Sequence, residues 1–344
     1  MVAANVAFGA SALQAEGENV RENVDSIIHN IDPTETPFQM KAAKGKVESD
    51  VYEWLIDNYQ PAGANAHVDG ADFGATVTND TTTAPSRVGN YSQILKKQIV
   101  IARRAESMTK HGRRSEMAFQ VAKKGAELKR DIEFMLLANQ IAVPESGATP
   151  ARSAGVPAWL YTNTSDGPGA GAPPALSSTT FGFPTTARTA GTDQVLSEAD
   201  LLDVIRRAWS AGGKPGIVMV NEDIKQRISS YLIGQSGTPR NATPYQDHGP
   251  KPSGGATVLG AVDFYVSDFG TLAIVPNRFQ AVTFVFVLDM KTWAVKYLDG
   301  IFVEKLGKAG DYERRHLIAD CVLQSKQEAA NGLIGDVIDG AMTA

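Results

Sequence analysis

Thiol chemistry is almost absent from this chain: Cys321 is the only cysteine in 344 residues, which excludes an intrachain disulfide and any metal site held by several thiolates. No apolar run reaches the ~18 residues that would span a bilayer. The opening residues, Met1-Val2-Ala3-Ala4-Asn5, lack the basic segment and apolar stretch of a secretory leader. The expectation is a chain that stays in a reducing cytoplasm and has no membrane partner. Histidine is sparse too. His29, His67, His111, His248 and His316 are scattered, with no two at the three- or four-residue spacing that places paired ligands on one helix face. Catalytic signatures are missing as well. Six residues separate Gly300 from Gly307-Lys308 where a phosphate-binding loop needs four, and Ala309 follows where Ser or Thr should bind Mg²⁺. There is no Gly-x-Ser-x-Gly, no His-Glu-x-x-His and no glycine fingerprint between a strand and a helix. A hydrolase or transferase dispersed over residues 197–288 has no visible nucleophile and base pair. The chain therefore reads as a non-enzyme, with no catalytic, cofactor-binding or metal-binding residues.

What is present is a globular composition, 43% hydrophobic and 21% charged, enough to bury a sizeable core. The formal net charge of -5 is unevenly spread. Between Lys96 and Arg130 eleven Lys or Arg face three Glu, a balance of +8 that leaves -13 for the rest of the chain. A cationic segment on an anionic molecule can pair with other copies of itself; the plainer alternative is a solvated helix face.

Along the chain, residues 1–15 are small and weakly apolar. Glu16, Glu18, Glu22 and Asp25 then alternate with Val20, Val24, Ile27 and Ile28 at helical spacing. Pro33 and Pro37 stop any helix and impose an extended path. Tyr52, Trp54 and Ile56 give residues 47–58 the alternation of a strand with an aromatic face, and Tyr91–Ile101 repeats the character. The intervening 59–90 is rich in Gly, Ala, Asp and Thr, and a stretch this long without periodicity reads as either disordered or a projecting functional arm. Ser115 caps a helix running to about Gln140 on the stripe Met117, Val121, Leu128, Ile132 and Met135, roughly 39 Å long. Residues 162–195 are loop. Ser197 and Asp200 cap the next helix, and a Gly212-Gly213 turn leads to the buried strand Ile217-Val218-Met219-Val220. A further helix and strands near 256–268, 271–275 and 282–288 complete an α/β unit. Two long runs, Trp293–Leu306 and Tyr312–Gln324, read as a β-hairpin about Gly307 and Gly310.

A series of short strings punctuates this layout: Asp32-Pro33-Thr34-Glu35-Thr36-Pro37-Phe38, Tyr52-Glu53-Trp54, Asn90 with Gln93-Ile94 and Lys97, and Glu127-Leu128-Lys129-Arg130-Asp131-Ile132-Glu133. Gly212-Gly213-Lys214-Pro215, Ser267-Asp268-Phe269-Gly270-Thr271, Val275-Pro276-Asn277-Arg278-Phe279 and Gly307-Lys308-Ala309-Gly310-Asp311 follow. In this order and spacing the chain resembles the major capsid proteins of tailed bacteriophages that have the Hong Kong 97-type fold. The resemblance implies an α+β architecture: an N-terminal arm (1–46), an extended β-hairpin loop (47–101), a peripheral domain with the spine helix (102–160) and a Gly/Pro-rich loop (161–195). An axial domain (196–292) and the peripheral return strands with the C-terminal segment (293–344) complete it. It also implies a partner set: further copies in hexamers and pentamers of an icosahedral shell, together with scaffold, portal and decoration proteins. The shell would enclose double-stranded DNA without sequence-specific contacts, assemble in the host cytoplasm and end in the virion. An encapsulin-like cargo compartment is the alternative on the same fold. The namesake of the fold crosslinks subunits through a lysine of its extended loop, but residues 59–90 hold no lysine, only Arg87, so the likeness stops short of that bond.

Candidate subunit-contact residues follow from both lines. Tyr52 and Trp54 anchor the hairpin stem. Gly63 and Gly70 permit close approach at its tip, where Asp69 and Asp72 read as turn formers and as hydrogen-bond acceptors. Arg103, Arg104, Arg113 and Arg114 are expected to meet acidic residues of a neighbour, the N-terminal arm first among them, and Lys308 and Asp311 lie in the last hairpin's turn.

Overall fold

The structure is a computed structural model that describes residues 35–59, 62–63, 66, 69, 84–109, 114–169, 173–177, 182–234, 263–308 and 310–337. Three sheets organise them. A short helix α1 (Pro37–Lys41) leads into strand β1 (Ala43–Lys46). Strands β2 (Val51–Ile56) and β3 (Ser86–Tyr91) pair only with each other, and β4 (Gln93–Ala102) follows. Helix α2 (Arg103–Ser107) precedes the long helix α3 (Glu116–Leu137); α4 (Val156–Trp159) and β5 (Thr164–Ser165) lie beyond it. The second half runs α5 (Glu198–Ser210), β6 (Ile217–Val220), α6 (Glu222–Gly234), β7 (Phe264–Ser267), β8 (Gly270–Pro276) and β9 (Val285–Leu288). It ends with β10 (Trp293–Lys305), β11 (Tyr312–Ser325) and β12 (Gly332–Ile334). One sheet has the order β1-β10-β11-β4 and another β5-β12-β9-β6-β8-β7.

The caps read from sequence form. Ser115 accepts from Ala118 N at the start of α3, and Ser197 accepts from Asp200 N at the start of α5, so each fills an orphan donor of a first turn. Gly212 closes α5 at φ +89, a conformation that L side chains rarely adopt.

The six-stranded sheet separates two cores, and the period of two of its strands sorts their residues between them. Met219, Phe286, Leu288 and Leu333 face the core built on α3 and the four-stranded sheet. Val218, Val220, Val285, Val287 and Ile334 face the core under α5 and α6. Both faces are covered, which is why these strands read as unbroken apolar runs rather than alternating ones.

Three boundaries differ from the sequence reading. Pro37 opens a helix instead of barring one, because at the first turn its missing N–H has no partner to lose. Residues 47–101 are not a single hairpin: β3 ends at Tyr91, and β4 crosses into the four-stranded sheet against β11. The last described residues do not stay with the return strands either, since β12 pairs with β9 and β5 in the six-stranded sheet.

A buried carboxylate ties the first of these together. Glu133 of α3 accepts from Phe38 N at 2.8 Å, Gln39 N at 2.9 Å and Asn277 Nδ2 at 2.7 Å. It therefore caps the N-terminus of α1 from 94 and 95 residues away, where a negative charge also meets the helix dipole. Burial still holds its carboxyl above the ordinary glutamate value, outweighing the three hydrogen bonds.

Candidate subunit-contact surfaces

The β2–β3 hairpin has a secured base and a free flank. At the base Asn90 is fully buried. Its amide donates to Leu323 O at 2.8 Å and Ser153 Oγ at 3.1 Å, and its Oδ1 accepts from Ala154 N at 2.8 Å and Tyr91 N at 3.0 Å. Every bond the side chain can make is thus met. Trp54 Nε1 donates to Ser325 O at 2.9 Å, and its ring lies 5.4 Å from those of both Tyr52 and the buried Trp159. Phe183 closes over Gly89, where a Cβ would meet its ring at 2.5 Å, and its ring sits 4.7 Å from that of Tyr91. Farther out the support ends: Leu55 is 67% exposed and Tyr59 wholly so. Arg87 and Glu53 form an ion pair across the strands. Gly63 and Asp69 are exposed, while Gly70 and Asp72 lie outside the described residues.

The second surface is the far end of the four-stranded sheet. Arg103 Nε meets Asp311 Oδ1 at 2.6 Å and Arg103 N donates to Asp311 O at 3.1 Å, so these two candidates pair within one subunit, both in water. The Asp311 carboxylate hydrogen bond raises the Arg103 guanidinium value. Lys308 lines the same small cleft, of about 160 Å³, with Met117. Glu106 accepts from Ser115 Oγ at 2.7 Å and Glu116 N at 3.0 Å, adding a carboxylate to the cap of α3. Arg104 and Arg114 are exposed; Arg113 lies outside the described residues, as does the N-terminal arm through residue 34.

Sequence reasoning passed over two exposed apolar features. Ile94 and Val100 point outward from β4 at 64% and 53% exposure, where alternation calls for polar residues. Trp209 and Phe269 stack at the surface with centroids 5.2 Å apart. Only the outward apolar positions of 93–102 left a readable signal. Among the described residues no group of three or more His, Cys, Asp or Glu could hold a metal ion, and no helix is long and apolar enough to cross a membrane. Cys321 is buried, and burial pushes its thiol up to about 12. Chemically the surfaces offer backbone edges, aliphatic side chains and exposed cations, which is the equipment for contact between proteins.

Comparison with known proteins agrees. A family model described as SU10 major capsid protein matches residues 6–337. The major capsid protein of Escherichia phage Phieco32 is 22% identical over 335 residues, covering 88% of this chain and 90% of that protein. Among solved structures, the capsid of cyanophage A-1(L) superposes with a TM-score of 0.61 at 14% identity, over 92% of this chain and 97% of that one. The holo-SrpI encapsulin complex from Synechococcus elongatus gives 0.58 at 11% identity, over 98% of each chain. At such identities the superpositions establish the fold, the Hong Kong 97-type architecture that phage capsids and encapsulins share.

Proposed function

The chain belongs to the SU10 major capsid protein family, and from that premise we propose that its copies form hexamers and pentamers closing an icosahedral head around the double-stranded DNA of a tailed phage. One surface repeated by rotation has to close. The observation that carries the reading is the β2–β3 hairpin: anchored at Asn90 and Trp54, paired with no other strand among the described residues, and leaving Leu55 and Tyr59 exposed at its outer end. A two-stranded hairpin is marginal in water unless something covers it, and the neighbouring copy supplies the cover, with residues 59–90 laid across it. Without a lysine in that segment, cohesion comes from buried area, hydrogen bonds and charge pairs spread over many contacts. The net charge of -5 and the lack of a nucleic-acid-binding motif suit DNA held by confinement, without sequence reading. Assembly in the host cytoplasm, with scaffold, portal and decoration proteins as partners, and the absence of catalysis belong to the same proposal. Expression of the chain alone and with a scaffold partner, followed by sedimentation and electron microscopy, tests it: closed particles are expected. Monomers under every condition would contradict the shell, and particles filled with protein cargo would favour the encapsulin reading.

A further inference from the structure

The β2–β3 hairpin joins the four-stranded sheet through two residues, Asp50 before β2 and Ser92 after β3. Ser92 N donates to Asp50 O at 2.8 Å, closing the ladder that begins with Val51 opposite Tyr91. This root sits on Asp320 of β11, whose carboxylate accepts from the Ser92 hydroxyl. Asp320 is only 8% exposed, and its Oδ1 is buried with no hydrogen-bond partner among the described residues, so the Ser92 bond uses the other oxygen. Its sequence neighbours Ala319 and Cys321 face the core under α3, which turns Asp320 to the opposite face of the sheet. On that face Asp299 of β10 lies directly opposite, between two breaks in the ladder register, and facing like charges repel. Asp50 adds a second negative charge from the root. On β4 the residue opposite is Ile94, and the one cation of that face, Lys96, stands a row away opposite Ile318. Lys97 belongs to the other face and pairs with Asp131.

A buried carboxylate oxygen that lacks a donor and faces a second carboxylate is costly to ionise. A proton removes that cost without displacing a neighbour: carried on Oδ1 it can be donated to the Asp299 carboxylate, while Ser92 still donates to the other oxygen. We propose that Asp320 is a proton-operated latch on the root of the β2–β3 hairpin, closed when its carboxyl is protonated and loosened when it ionises. On ionisation three negative groups, Asp50, Asp299 and Asp320, crowd the root. The first pairs of β4, Gln93 to Leu95 against Cys321 to Ala319, then give way, while Asn90 stays bonded to Leu323 O and serves as the pivot. Burial first, then Asp299 and Asp50, hold the Asp320 carboxyl above the ordinary 3.8 against the Ser92 bond, so the native chain keeps this proton to higher pH than the unfolded chain does. The closed latch is therefore present at low pH and is lost as pH rises through the folded value. The device belongs to the single subunit and does not rest on the shell proposed above.

Hydrogen exchange on the full-length subunit tests this, with protection in peptides spanning residues 90–97 taken relative to the intrinsic amide rate at each pH. From pH about 4.5 to about 8 that protection is expected to fall about fivefold or more. Asp320→Asn keeps an acceptor for Ser92 and cannot ionise, so it should abolish the fall and leave protection at the higher pH equal to that at the lower. Equal protection at both pH values in the unaltered chain, or the same fall in the variant, would overturn the proposal. Should Asp320→Asn not fold, Asp299→Asn decides: Asp299 is exposed, and removing its charge should shrink the fall, whereas an undiminished fall would overturn the proposal.

Discussion

The molecule contains two hairpins of opposite character. β10–β11 is held on both sides, by β1 and β4, and its inner residues Trp293, Val295, Leu317, Ala319, Cys321 and Leu323 are buried in the subunit's own core. β2–β3 is held only at its base and carries Leu55 and Tyr59 into solvent. One hairpin stabilises the subunit, and the other, on the function proposed above, is left for a neighbour to cover. Substitutions should separate the two, harming the fold in the first hairpin and assembly in the second.

The sharpest break comes from Trp293→Ala. This ring is fully buried, and its Nε1 donates to Asn331 Oδ1 at 2.9 Å, so urea denaturation should show a loss of about 3–5 kcal/mol in the isolated subunit. Asn90→Ala sits where the two hairpins touch and strands Ala154 N and Leu323 O. We expect about 2–3 kcal/mol in the same measurement, with faster hydrogen exchange in β3. Trp54→Phe removes the bond to Ser325 O and part of the indole packed against Trp159, and should cost about 1–2 kcal/mol; a larger loss would mean that the stem supports the subunit more than the comparison allows.

A pH series probes buried and surface carboxylates in opposite senses. Burial raises the Glu133 and Glu328 carboxyls above the ordinary value of 4.5, so the native subunit holds their protons more tightly than the unfolded chain does. Their contribution to stability is largest below that value and is lost as pH rises through the folded values. Glu127 and Asp203, lowered by lysine and arginine partners against the opposing effect of burial, contribute in the reverse sense and lose stability as pH falls. Glu133→Gln should therefore remove part of the decline seen on raising pH from about 4.5 to about 7, measured as the difference from the unaltered chain; an identical slope would show that Glu133 does not titrate there. Smallest of all is Arg103→Glu. Its partner Asp311 is as exposed as itself, and such pairs are screened, so the subunit's unfolding midpoint should not move. Any measurable effect should appear in assembly and its salt dependence.

Much of this division was legible in the residues. The run Ile217–Val220 announced a buried strand, a strand near 282–288 forms at Val285–Leu288, and Ser115 and Ser197 marked helix starts where both helices begin. What escaped had no period to read. β12 is three residues long, too short for alternation, so its return to the other sheet is set by tertiary contacts alone. Pro37 reads as a breaker unless one knows that Glu133 waits to cap the helix it starts, and Glu133 itself stands in a run of charges that looks like a solvated face. β3 and β4 differ from one continuous strand only in the turn of the chain at Ser92, which is buried. Of the candidate contacts, Tyr52 and Trp54 stood out through alternation. Asn90 matters through bonds to residues 63 to 233 positions away, which no local pattern encodes.

The central claim, that the free hairpin builds the shell without stabilising the subunit, is tested most directly by deleting residues 62–84 and bridging the ends with Gly-Ser. Shortening a loop changes closure entropy by only about 0.6 kcal/mol per halving. The account therefore predicts a folded, soluble subunit with nearly unchanged thermal unfolding that builds no stable shells, whereas shells of normal yield and thermal stability would contradict it.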